Sequence, residues 1–294
     1  MPPSTATLVR FAPLLFVFLW STGFIGAKYG LPHAEPLSFL LVRYLLVLAL
    51  MTMLALATRA PWPRDPHQWL HIGVSGLLVH ATYLGGVFIA IDHGLPAGVT
   101  SLLVGLQPIL TALGAGWLLR DAVSGRQWLG LWLGLAGTAL VVGADLALDR
   151  PLAELLPMLL PALAALLGIT AGTLYQKRFC AHFDLRTGAV IQFLPTAIAT
   201  GIGVALFESL AIDWNGEFVF ALAWLVGVLS LGAISLLNLM IRQGSAVHVA
   251  SLFFLTPPTT ALIAFLIFGE TLSLPAVAGM IIAVVGVRLA RKAA

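Results

Sequence analysis

The chain repeats a segment of its own sequence about 150 residues further on. The stretch GLPAGVTSLLVGLQPILTAL, which begins at Gly94, returns as GSAVHVASLFFLTPPTTALI from Gly244. The alignment places like polar and proline residues in one order: Ser101 with Ser251, and Pro108 with Pro258. Apolar sequences match each other easily, but serines and prolines in the same order do not. The sequence therefore predicts two related halves.

Both halves are apolar enough to lie in lipid. Hydrophobic residues make up 60% of the chain and charged residues 9%, whereas soluble domains carry about 25% charged residues. A membrane-spanning helix needs about 20 apolar residues, and charges, prolines and glycines divide the chain into ten such stretches. The expected spans are 11–31, 36–58, 68–91, 96–118, 125–144, 155–177, 185–207, 218–241, 246–268 and 273–291.

The basic residues predict how these spans are oriented. When successive loops are assigned to alternate sides, Lys28 and Arg150 fall on one side and twelve basic residues on the other. The twelve are Arg10, Arg59, Arg64, Arg120, Arg126, Lys177, Arg178, Arg186, Arg242, Arg288, Arg291 and Lys292. By the positive-inside rule both termini are expected in the cytoplasm.

The fold class predicted is an all-α integral membrane protein whose ten transmembrane helices form two inverted five-helix repeats, residues 1–147 and 148–294. The inversion follows because an odd number of helices per half makes the second copy enter from the opposite side. Inverted repeats of this kind form a central cleft that opens alternately to either side of the membrane. A secondary carrier is thus the expected class, with a channel or a membrane-embedded enzyme as alternatives.

Polar side chains in the middle of spans are the candidate site, because such groups are costly in lipid unless they face a cavity or a partner. His80 and Tyr83 lie three residues apart in the third span and offer hydrogen bonding and an aromatic surface. The candidate substrate-binding residues are Trp20, Thr22, His80, Tyr83, Ser101, Gln107, Thr173, Ser235, Asn238 and Ser251. Each also has an ordinary packing interpretation.

Prolines at matching positions are candidate gating points. Proline removes a backbone donor and frees a carbonyl one turn earlier, which in lipid needs another partner. The residues are Pro108 in the fourth span and Pro257 and Pro258 in the ninth. Gly130, Gly134 and Gly137 in the fifth span predict a close helix-packing face instead.

Three titratable or charged residues are candidates for a charge or coupling role: Arg43, His80 and His248. Arg43 lies inside the second span, where it could snorkel, bond a carbonyl or contact an anionic substrate. No Asp or Glu falls in the central third of any expected span, so proton coupling would need a histidine. No cofactor or metal is expected, because the lone Cys180 and the scattered histidines form no ligand motif. The expected partners are a small-molecule substrate and the lipid bilayer, not nucleic acid, and the oligomeric state stays open, a monomer being possible.

The opening FLWSTGFIGAKYG, the arginine within FLLVRYLLVLAL, and the half endings GRQWLGLWLGLAGTALVV and FGETLSLPAVAGMIIAVVGV resemble the EamA type of the drug/metabolite transporter superfamily. The resemblance covers nearly the whole chain. It implies a multi-pass bacterial inner-membrane exporter with a central cavity lined mainly by helices 1, 3, 4, 6, 8 and 9. The branch it looks most like exports amino acids, aromatic ones included; other metabolites or drugs are the alternative substrates. Arg43, Asp121 and Glu270 match family positions, although the first half reads LLRDAV, which includes Asp121, where Gly-Glu is usual.

Overall fold

A computed structural model describes residues 3–95, 97–120, 122–142, 152–180, 182–268 and 273–290. Regular structure in these residues is helical, apart from one isolated antiparallel bridge between Ala34 and Ile212. Asp121, Asp149, Glu270 and the expected boundary between residues 147 and 148 lie outside the described residues.

The helices are numbered here in chain order. Five have simple bounds: α1 Pro3–Gly30, α2 Pro36–Ala57, α5 Gly125–Val142, α6 Leu152–Phe179 and α7 Leu185–Phe207. α10, Leu274–Ala290, is also regular. α3 spans Pro66–Asp92 with a π-helical part at Leu77–Leu84, and α8 spans Gly216–Gln243 with one at Leu225–Ala233. α4 consists of Ala97–Val104, Gln107–Gly114 and the π-helical Ala115–Leu119, and α9 consists of Ala246–Ser251, the 3-10 segment Leu252–Leu255 and Thr256–Phe268.

Within the described residues, seven helices are long and apolar enough to cross a membrane: α2, α3, α4, α6, α7, α8 and α9. Phe11–Gly23 of α1 and Leu274–Ala290 are shorter apolar helical stretches. The predicted bounds of α7 and α9, 185–207 and 246–268, agree with the structure. The all-helical architecture is confirmed, while the count of ten inverted spans stays a prediction.

Helices α5 and α10, the last of each half, cross at their glycines. A Cβ on Gly137 would lie 2.6 Å from the carbonyl oxygen of Gly279, and one on Gly130 would lie 2.5 Å from that of Gly286. Contacts that advance along α5 therefore recede along α10, so the two helices are antiparallel. Backbones can approach this closely only where side chains are absent, which is the packing mode of small residues in membrane helices.

The loop between α1 and α2 is joined to the loop between α7 and α8. The Glu208 carboxylate accepts hydrogen bonds from the backbone N–H groups of Leu37 and Ser38, 2.8 and 2.7 Å away, at the start of α2. Conversely, the Glu35 carboxylate accepts bonds from the backbone N–H and the hydroxyl of Ser209, at 2.8 and 2.7 Å. The backbone bond from Ser209, and then its hydroxyl bond, lower the pKa of Glu35. These reciprocal caps fix one end of the bundle.

Candidate functional site

Polar and aromatic side chains meet at a cavity of about 500 Å³ between α1, α2, α3 and α8. Apolar side chains form most of its wall, and Trp20, Arg43 and Tyr83 add polar groups. Its remaining lining residues are Gly23, Ala27, Leu84, Val87, Phe88, Ile91, Leu225, Leu229 and Ile234. We call it the main cavity.

A second cavity of about 340 Å³ adjoins the first and extends between α4 and α9. Trp20, Tyr83 and Val87 border both cavities. The others around the second cavity are Thr100, Ser101, Val104, Gly105, Phe253, Thr256 and Pro257. Trp20 and Tyr83 stack with ring centroids 6.3 Å apart and planes at 11°, so this aromatic pair forms the partition between the two spaces.

Neighbouring rings hold the Trp20 indole in place. Phe253 of α9 meets it edge-on at 5.3 Å and 78°, and Phe16, one turn earlier on α1, lies 5.1 Å away. Gly23 and Gly26 continue the same region of α1, where Leu229 and Leu225 of α8 approach closely. The partition is thus formed by α1 and α3 of the first half and packs against Phe253 of α9 in the second half.

Arg43 is buried to 3% exposure, and its Nε donates a hydrogen bond to the Ser230 hydroxyl at 3.0 Å. Ser230 lies in the π-helical part of α8. Within the described residues, the carboxylates that form ion pairs are those of Asp184, Asp213 and Glu217, and none pairs with Arg43. The guanidinium is therefore a buried charge at the cavity wall with a neutral partner.

The prolines lie where helices α4 and α9 change conformation. Pro108 follows a turn at Gly105 and Leu106, and Pro257 and Pro258 follow the 3-10 segment. Proline at 258 removes the donor that the Phe254 carbonyl would use in a helix, and Thr138 of α5 donates to that carbonyl at 3.3 Å. Only Pro257 of the three lines a cavity among those described.

Asn238 lies in a polar network away from both cavities. Its amide donates to Gln192 Oε1 at 3.2 Å, and Gln192 Nε2 donates to the Ser75 hydroxyl at 3.0 Å. Gln176 of α6 donates to Asn238 Oδ1 at 3.0 Å. All four residues are buried, so the network links α3, α6, α7 and α8 inside the bundle.

His80 does not line either cavity, although Tyr83 does. It is fully buried and stacks on Phe193 of α7 with centroids 4.3 Å apart and planes at 14°. Gln192 lies nearby, but neither ring nitrogen has a hydrogen bond of good geometry. The side chain packs as an aromatic ring.

Most of the other candidates from the sequence form hydrogen bonds within the bundle. Thr22 accepts a bond from the Trp224 indole at 3.0 Å, and Gln107 donates to Thr173 at 3.4 Å. Ser251 is fully buried and donates to the carbonyl of His248 at 2.7 Å. Ser235 is half-buried on α8. Among the ten substrate-binding candidates, the structure brings Trp20, Tyr83 and Ser101 to cavity walls.

Sequence reasoning missed the apolar residues of the main cavity. Leu225 and Leu229 lie one turn apart on α8, and Val87 and Phe88 follow Tyr83 by about one turn on α3. Their helical spacing was visible, but leucine and valine at such spacing look the same whether they face lipid, a neighbouring helix or a cavity.

Comparison with known proteins agrees with this architecture. A crystal structure with a TM-score of 0.77 and 21% sequence identity covers 97% of this chain and 97% of its own chain, which shows a shared fold. The chain is 29% identical to the uncharacterized transporter YvbV of Bacillus subtilis over 98% of this chain and 92% of that protein. It is 27% identical to a probable amino-acid metabolite efflux pump of Salmonella typhimurium, over 94% and 92% respectively.

Fold, apolar helices and these relatives define a multi-pass membrane transport protein. The EamA-like transporter family matches the chain twice, at residues 8–143 and 156–291. The chain therefore belongs to the EamA-like transporter family.

Proposed function

We propose that the protein is a secondary carrier that exports small amphipathic metabolites, aromatic and neutral amino acids among them, across the bacterial inner membrane. The main cavity carries this proposal, because α1, α2 and α3 of the first half and α8 of the second form its wall around Trp20 and Tyr83. A site between two halves can be exposed to either side when the halves rock against each other. The name of the Salmonella relative supports export of amino-acid metabolites.

An inverted relation between the halves, divided near residues 147 and 148, is part of the proposal. The antiparallel crossing of α5 and α10 supports it, because Gly130 and Gly137 align in sequence with Gly279 and Gly286. Gly130 meets the counterpart of Gly137, and Gly137 meets the counterpart of Gly130. Reciprocal contacts of this kind arise from a two-fold axis.

In the proposed orientation both termini are cytoplasmic, and the main cavity lies toward the periplasmic side. Ala27 and Ile91 are near the ends of α1 and α3, and both residues line this cavity. The network of Ser75, Gln192, Asn238 and Gln176 lies toward the other ends of α3, α6 and α8. We propose that it closes the cytoplasmic side in this conformation.

Counterflow in proteoliposomes tests the carrier. Vesicles loaded with unlabelled phenylalanine, tryptophan, tyrosine, threonine or methionine are expected to accumulate the labelled compound transiently and saturably. Loading with other amphipathic metabolites tests the alternative substrates. Single-channel currents in a planar bilayer, or no saturable exchange with any compound, would contradict a carrier.

The orientation is tested with single cysteines in a Cys180→Ser background. The buried Cys180 is the one cysteine of the sequence, so replacing it leaves the introduced cysteine as the reactive thiol. A cysteine replacing the exposed Asp213 is expected to react with an impermeant thiol reagent added to intact cells. The matched position is Arg64, in the loop before α3, where reaction is expected only after the cells are opened. The reverse pattern would contradict the proposed topology.

A further inference from the structure

Among the residues that the structure describes, the charge of Arg43 has no partner of opposite sign at the main cavity. Its Nε bonds the neutral hydroxyl of Ser230, and no described acidic residue pairs with it. A buried cation held in this way is costly, because the low dielectric of the bundle interior does not replace its hydration. An anion that enters the cavity would relieve this cost.

Gln192, at the equivalent position of the second half, differs from Arg43 because its polar groups are paired. Gln192 aligns with Arg43 and has a donor partner and an acceptor partner, Asn238 and Ser75. A guanidinium has five N–H donors and no acceptor, so its bond to Ser230 leaves donors for a ligand. Its planar fork fits a carboxylate, which can accept two parallel bonds.

The rest of the cavity wall indicates what the other end of the ligand must be. Trp20 and Tyr83 present aromatic surface, and Leu225, Leu229 and Val87 present aliphatic surface. The described wall includes one cation and no carboxylate. An ammonium group would therefore find no anion there, whereas an apolar or aromatic body would be buried.

We infer that the main cavity binds amphipathic monocarboxylates, that Arg43 holds the carboxylate, and that the ligand needs no amino group. This rests on the proposed function and narrows its substrate class. One cation matches one negative charge, so a phosphate dianion would keep an unpaired charge in the bundle. Amino acids are accepted through their carboxylate and apolar side chain.

Binding to the purified protein in detergent tests the inference without requiring transport. The probes are 3-phenylpropanoate, its neutral amide 3-phenylpropanamide, phenylalanine and 2-phenylethylamine. We expect 3-phenylpropanoate to bind at least as tightly as phenylalanine, and the amide and the amine to bind at least about 30-fold more weakly. Equal affinity for acid and amide would overturn the role of the charge, and a preference of ten-fold or more for phenylalanine over 3-phenylpropanoate would show that the amino group is recognised.

Variants assign the charge to its residue. Arg43→Met keeps the volume and removes the cation, so the melting temperature without ligand is expected to be unchanged or higher, while stabilisation by 3-phenylpropanoate is lost. Arg43→Lys keeps the charge without the planar fork and is expected to keep part of the stabilisation by 3-phenylpropanoate. The matched control is Arg126→Met, an exposed arginine at the start of α5, which is expected to bind normally. Unchanged binding in Arg43→Met would overturn the inference.

The two proposals fail separately. If carboxylates bind through Arg43 but no compound exchanges across vesicles, the carrier is contradicted and the binding site stands. If amino acids are exchanged but their binding is indifferent to Arg43 and to the carboxylate, the carrier stands and the inference falls.

Discussion

Arg43 and Gln192 occupy equivalent positions of the two halves, and each bonds a serine on a helix of the other half. Arg43 on α2 donates to Ser230 on α8 at 3.0 Å, and Gln192 on α7 donates to Ser75 on α3 at 3.0 Å. Both bonds cross between helices, from α2 to α8 and from α7 to α3, but the two donors differ in chemistry. The cation borders the main cavity, and the neutral amide anchors a buried network.

Gln192→Leu is expected to destabilise the protein by about 1–2 kcal/mol, because the Asn238 amide loses its buried acceptor. Denaturant unfolding in detergent would measure this. Gln107→Leu is the control, since Gln107 makes a single long bond to Thr173 at 3.4 Å and its Oε1 has no partner. Equal losses of unfolding free energy in the two variants would mean that the bonds of Gln192 stabilise the protein no more than the single long bond of Gln107.

Gly137→Ala is expected to cost about 2 kcal/mol or more, because its Cβ would lie 2.5 Å from the backbone nitrogen of Ala283. The helices would have to separate where they are closest. Gly116→Ala is the matched control, since nothing lies within 4 Å of its added Cβ. Thermal unfolding of both variants gives the comparison, and a melting temperature of Gly137→Ala equal to that of the parent would contradict the crossing.

Tyr83→Ala is expected to join the two cavities, because Tyr83 and Trp20 form the partition between them. Loss of the stacked ring should reduce the affinity for aromatic substrates more than that for methionine. Competition for counterflow measures this difference. Tyr83→Phe keeps the ring and is the control. An equal effect of Tyr83→Ala on aromatic substrates and on methionine would place the aromatic binding surface elsewhere.

The sequence predicted the helices well, since apolar length and punctuation determine them. It also predicted the packing face of Gly130, Gly134 and Gly137, but not α10 as its partner, because period and composition say nothing of which helix lies opposite. His80 and Tyr83 were expected on one face under α-helical geometry. The π-helical part Leu77–Leu84 changes the residues per turn there, and only Tyr83 lines the cavity.

This environment determines what His80→Phe should do. A phenyl ring keeps the stack on Phe193 and removes two buried ring nitrogens without hydrogen-bond partners. We expect unchanged or higher stability and an unchanged dependence of counterflow on pH. His80→Ala, by contrast, should lose stability by leaving a void. A pH dependence that disappears in His80→Phe would instead identify His80 as the coupling group considered from the sequence.

Glu35 gives a pH dependence of stability at the capped end of the bundle. Its pKa is lowered in the folded protein because Ser209 donates backbone and hydroxyl bonds to the carboxylate. Stabilisation by a lowered carboxyl pKa is fully present above the unfolded value, about 4.3, and is lost as the pH falls through the folded value. The melting temperature of the parent should therefore exceed that of Glu35→Gln at pH 7, and the difference should shrink below about pH 4.3.

Ser209→Ala separates the two bonds that Glu35 accepts. It removes the hydroxyl and keeps the backbone N–H, which lowers the Glu35 pKa most. Part of the pH-dependent difference between Glu35 and Glu35→Gln should therefore persist in the Ser209→Ala background. A difference that is independent of pH in both backgrounds would mean that Glu35 contributes through packing and not through its charge, because only a group with different folded and unfolded pKa values links stability to pH.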